Sequence, residues 1–163
     1  MGDERALRAR PQDPAPAPRR RPRTVPLSTE EAMRLLAGAP FGRIVFTEHA
    51  LPAIRLVNHA LVDGRIMIRT HRGAALTAAV PAGPTAGAVV VYEADDIDAE
   101  TRSGWSVTVT GYARLLAMEP EGDAVWDPAG QEQVPEPWFD AEMTHLVVIQ
   151  PEIVAGVRLI AVS

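Results

Sequence analysis

Cysteine is absent from the 163 residues, and so is lysine. Without cysteine there is no disulfide, no thiol nucleophile and no cysteine–zinc centre. Without lysine there is no Schiff base to pyridoxal phosphate and no Walker A loop, since both need the primary amine. All 16 basic residues are arginine, so an anion bound here must be held by guanidinium groups and backbone amides. No apolar run approaches the roughly 20 residues that span a bilayer, and no membrane partner is expected. The N-terminus has no apolar signal-peptide core, so the expected compartment is the cytoplasm. Neither Gly-x-Ser-x-Gly nor Gly-x-Gly-x-x-Gly occurs, which removes the nucleophile-elbow hydrolases and the dinucleotide folds.

The length allows one domain with a real core plus tails. Charge divides unevenly along it. Residues 1–24 hold seven arginines against three carboxylates, a balance of +4, and the rest holds nine against eighteen, a balance of −9. Residues 1–26, rich in proline, alanine and arginine, bury too little to offset their ordering entropy and are expected to be a disordered arm. The folded domain is expected over residues 27–160. The run Arg19, Arg20, Arg21 and Arg23 could touch nucleic acid or anionic lipid, but the acidic body argues against general nucleic-acid binding. A solvated tail is the simpler reading.

Within the domain, Ser28 and Glu31 form a capping box that opens a helix running to about Ala37 and stopping at Gly38. A strand follows at residues 42–47. Residues 52–61 read as a second strand, with Ile54 and Leu56 on one face and Arg55, Val57 and His59 on the other. Asp63-Gly64 is a strong two-residue hairpin signal, because glycine takes the positive φ such turns need. The return strand covers residues 65–70, and the small residues from Ala74 to Ala79 suit a short helix. Residues 86–93 form a near-continuous apolar run, as in a strand buried on both faces. Asp95, Asp96, Asp98 and Glu100 lack the spacing of a calcium loop and are read as loop solvation and caps. Residues 105–118 form the longest strand, with a bend or bulge expected at Gly111. Residues 119–136, broken by prolines, read as irregular, and Trp138-Phe139 as a cover over an apolar opening. Residues 144–149 and 152–159 close the sheet. Six or seven strands without a βαβ rhythm favour an antiparallel barrel. His49, His59, His71 and His145 share no ligand spacing, so no metal site is expected.

Arginine, threonine and glycine where the strand 65–70 enters a helix make a plausible phosphate seat. This stretch, the segment Glu93–Val107 and the closing strand ending Ile149-Gln-Pro-Glu-Ile-Val-Ala-Gly together resemble the pyridoxamine 5′-phosphate oxidase-like proteins, the FMN-binding split barrels, over roughly residues 27–159. The resemblance implies a mainly β split barrel with short helices, working as a homodimer with two sites at the subunit boundary. It implies FMN, or in some members the deazaflavin F420, and hydride transfer with a small-molecule substrate. It places Arg55, Leu56, Val57, Asn58 and His59 along the flavin, with Arg69 and Thr70 at the phosphate. Trp105 and Ser106 would approach from the neighbouring subunit. No catalytic residue is assigned. Where the family offers cations after the threonine this chain has Ala75 and Leu76, so Arg72 is the candidate substitute, its planar fork suited to phosphate. The rival expectation is a cofactor-poor binding or sensor barrel that has lost its phosphate site.

Overall fold

The computed structural model describes residues 23–71, 73–83, 87–117 and 145–161. The elements in order are β1 (Arg23–Pro26), α1 (Thr29–Gly38), β2 (Gly42–Glu48), β3 (Leu51–Val57), β4 (Ala60–Val62), β5 (Arg65–Thr70), α2 (Ala75–Ala79), β6 (Ala88–Asp98), β7 (Ser103–Ala117) and β8 (His145–Ile160). All strand pairings are antiparallel, in the order β3-β2-β6-β7-β8-β5-β4, with β1 on β8. The two outermost strands of that path, β3 and β4, are consecutive in the chain and separated only by Asn58 and His59. A two-residue link cannot cross a flat seven-strand sheet, where neighbours lie about 4.8 Å apart. The sheet therefore curls until its edges meet, which makes a barrel left unpaired along one seam. This is the expected antiparallel split barrel.

Inside it, alternating residues of every long strand converge: Ile44 and Phe46, Ile66 and Ile68, Val90 and Tyr92, Val107 and Val109, Val147 and Ile149 are all buried. α1 lays Ala32 and Leu36 against this core. Its N-terminus is capped by Ser28, whose side chain accepts from the Glu31 amide at 3.2 Å, and Arg158 of β8 pairs with Glu31 at 2.6 Å.

Four sequence expectations change. Residues 52–61 are two strands that serve different partners, since β3 pairs with β2 and only β4 forms the hairpin with β5. The Asp63–Gly64 turn stands as expected, both residues having positive φ. Residues 23–26, expected in the arm, are β1, held along Val157–Ile160. Asp95, Asp96 and Asp98 belong to β6, where only Asp98 caps the turn, accepting from the amides of Glu100 and Thr101. β8 runs unbroken through Pro151, because a register shift at Thr110/Gly111 absorbs Glu152 as an extra residue at that point. Residues 119–136 and Trp138-Phe139 lie outside the described residues.

Candidate functional site

β5 rises from the Asp63–Gly64 turn with Ile66, Ile68 and Thr70 facing the barrel interior and Met67 and Arg69 facing out. At its end the polypeptide turns through His71 into α2, whose Leu76 is buried and whose Ala75 packs on the core. Thr77 closes this corner by donating its hydroxyl to the His71 carbonyl at 2.7 Å, with Thr70 Oγ1 at 3.2 Å from Thr77 Oγ1. A hydroxyl has one hydrogen, so Thr70 must donate to Thr77. On the outward side of the same strand, Arg69 Nε is buried with no hydrogen-bond partner among the described residues. An orphaned guanidinium N–H is costly, and it is the kind of group that an anion satisfies. Arg72 lies outside the described residues.

Arg55 faces the interior side of β3, opposite Ile44. Its guanidinium stands 5.7 Å from the centre of the Phe46 ring. It donates to Glu48 Oε2 at 3.1 Å and to the Ile54 carbonyl at 2.8 Å. Leu56, on the opposite face, is exposed, and Val57 is half-buried against the core. Asn58 donates to the Pro40 carbonyl at 3.2 Å.

His59 is buried, and both its ring nitrogens are engaged inside the protein. Nε2 lies 2.8 Å from the Leu36 carbonyl and Nδ1 lies 2.6 Å from Tyr92 Oη. A carbonyl only accepts, so Nε2 carries the hydrogen and the Tyr92 hydroxyl donates to Nδ1. Burial pushes the imidazole below its ordinary value, opposed by the bond to Leu36. Burial, with the Glu93 charge behind it, pushes the Tyr92 phenol well above its ordinary range. The arrangement leaves His59 no nitrogen for a ligand. Tyr92 is the partner that sequence reasoning missed. A single polar tip inside the apolar run of residues 86–93 was the available signal, because a buried phenol needs a bond.

Trp105 and Ser106 stand at the other end of β7. Arg69 is in register with Leu146, and Leu146 with Leu116. Trp105 is eleven residues from Leu116, about 35 Å along a strand at about 3.3 Å per residue. Arg69 and Thr70 are therefore adjacent, whereas Trp105 and Ser106 of the same chain lie a domain's width away. Arg55 and Asn58 sit between, on β3 and the seam. Among the described residues no group of histidines and carboxylates is placed to hold a metal ion.

Comparison with known proteins assigns the fold to a class. Residues 28–158 match the pyridoxamine 5′-phosphate oxidase family, and the chain belongs to that family. An uncharacterized protein of Mycobacterium tuberculosis, Rv0080, is 48% identical over 139 residues, covering 85% of this chain and 88% of that one. Among solved structures, the FAD-binding protein from Mycobacterium smegmatis is 29% identical over 83% of this chain and 98% of its own, with a TM-score of 0.58. A FAD-binding protein from Mesorhizobium loti shares the fold at 19% identity, covering 85% of this chain and 98% of its own, with a TM-score of 0.60. The family is thus one in which flavin-binding proteins occur.

Proposed function

We propose that this protein is an FMN-dependent oxidoreductase that exchanges hydride with a small molecule in the cytoplasm. The observation that carries this reading is the buried Nε of Arg69, without a hydrogen-bond partner among the described residues, at the end of β5 where the family resemblance puts the phosphate. The fit there is to an anion: Arg69 and Thr70 would hold it, with Arg72 as the second cation. Arg55, Leu56, Val57 and Asn58 would run beside the ring system. When bound, the isoalloxazine supplies the redox chemistry, and the protein's part is to position it and shield it from water. The family membership and the flavin-binding relative from M. smegmatis support the same cofactor class.

The working unit on this reading is a homodimer. The outer face of the sheet carries a cross-strand row, Ile54–Val45–Val91–Thr110–Ile153, with Ile153 64% and Ile54 55% exposed. Val89 beside it is 61% exposed, and an apolar stripe of this kind marks an interaction surface. A second copy would also supply Trp105 and Ser106, which the register keeps about 35 Å along β7 from the Arg69 end.

One observation favours a second reading. Leu76 is core and Ala75 packs on the core, so α2 contributes no cation to the phosphate corner, as in a barrel that has lost its cofactor. Absorbance of freshly purified protein in the flavin bands, followed by titration with FMN, FAD and F420, separates the two. Uptake of FMN, weakened tenfold or more in Arg69→Ala, supports the oxidoreductase. Colourless protein that takes up none of the three sinks it and leaves the cofactor-poor barrel.

A further inference from the structure

The seam of the barrel is closed by side chains, since β3 and β4 are not paired with each other. The two residues that cross it both reach to the end of α1 and the link after it: Asn58 to the Pro40 carbonyl, His59 to the Leu36 carbonyl. Of the two bonds only the second belongs to a group that titrates near neutrality. His59 also accepts from Tyr92 of β6, so one imidazole joins α1, the seam and the sheet wall. The Tyr92 hydroxyl has no slack, because a Cβ on Gly42 would collide with it.

A proton added to this imidazole must go to Nδ1, which is where the Tyr92 hydrogen already points. The phenol would have to turn its hydrogen out of the bond, and the new charge would be buried. Among the described residues no carboxylate bonds the ring, and Glu93, behind Tyr92, is already paired with Arg43. α1 presents the Leu36 carbonyl, while its Glu30 is tied to Arg34 and its Glu31 to Arg158. β2 presents Gly42, with Arg43 paired to Glu93 and Asp95. β6 presents the neutral phenol. A buried charge without a partner is among the most destabilising arrangements available to a fold, and the structure escapes it by exposing the group.

We propose that His59 is an acid-operated latch on the barrel seam: neutral, it ties α1 to β6 across the β3–β4 joint, and protonated, it releases the joint. The sign follows from linkage. The folded imidazole resists protonation, whereas the released one titrates near the ordinary value of about 6.5. The closed seam is therefore fully favoured above that pH and loses ground as pH falls below it, up to about tenfold per pH unit. The latch is independent of any cofactor.

The test is amide hydrogen exchange of the full chain at Val57, Ala60 and Leu61, corrected for intrinsic rate, between pH 7.5 and 5. The comparison is His59→Gln, whose amide keeps one donor for Leu36 and one acceptor for Tyr92 but does not titrate. Seam opening that rises up to about tenfold per pH unit below about 6.5 in the wild type, and stays flat in the glutamine variant, supports the latch. A flat wild type, or the same slope in both proteins, overturns it. Should the variant fail to fold, nitrogen chemical shifts of the wild-type ring decide. A midpoint below 6.5 shared with the seam amides supports the latch, and a midpoint at or above 6.5 overturns it.

Discussion

At the scale of the residue, the polar groups that the chain buries decide its chemistry. Tyr92 is fully buried and gives its hydrogen to His59. Removing that donor in Tyr92→Phe leaves Nδ1 unsatisfied, and we expect a loss of about 1–2 kcal/mol in urea unfolding at pH 7.5. An unchanged midpoint would show that the bond contributes nothing net. Gly42→Ala drives a methyl group into the same phenol and the Glu93 carbonyl. Overpacking of this kind costs about 1–3 kcal/mol, and denaturation beside the wild type measures it. The lowered His59 value also makes global stability fall with pH below about 6.5, by at most about 1.4 kcal/mol per unit. Denaturant titrations at pH 7.5, 6.5 and 5.5 check the slope. At this scale sequence was a partial guide. It placed Arg55 and Val57 on one face of the chain, as the register does, but extended that face to His59, which lies in the link at the seam. The acceptor of its bond is a main-chain carbonyl, which no residue type announces.

Elements follow local rules more closely. Ser28 opens α1 by accepting from the Glu31 amide, one half of the expected capping box, while the Glu31 carboxylate turns to Arg158 instead. Ser28→Ala should lower stability by about 1 kcal/mol, read from thermal unfolding with helix content unchanged. The Asp63–Gly64 turn was legible because positive φ selects its residues. The division of residues 52–61 was not legible. β3 and β4 share one alternating pattern, and what separates them is that they pair on opposite edges of the sheet path. The continuity of β8 through Pro151 escaped for a similar reason. A proline reads as a stop in isolation, yet here the ladder opposite it shifts register and the strand continues.

At the scale of the whole molecule, the site we propose needs two copies of the chain. In a two-fold dimer, Arg69→Ala removes the phosphate end of each site and Trp105→Ala removes the wall that the partner lends. Each variant alone should bind FMN weakly. Unfolded together and refolded, they should recover about a quarter of the wild-type sites, since half the dimers are mixed and each mixed dimer has one intact site. Binding that stays at the level of the separate variants would mean that both groups serve one chain or neither serves the flavin. The same two-fold arrangement predicts that Ile153→Glu, a charge on the exposed row, yields monomers in sedimentation velocity.

By itself the sequence determined the chemical vocabulary and the local grammar. Arginine had to serve wherever a cation was wanted, α1 began at Ser28, the hairpin turned at Asp63–Gly64, and alternation marked most of the strands, because composition, caps and turns act over a few residues. The tertiary structure decided which strands are neighbours, that two residues close the barrel, that His59 belongs to that closure, and that Arg69 of β5 stands level with the end of β7 opposite Trp105. Those facts depend on how a curled sheet brings distant residues into register, and no short stretch of chain encodes them.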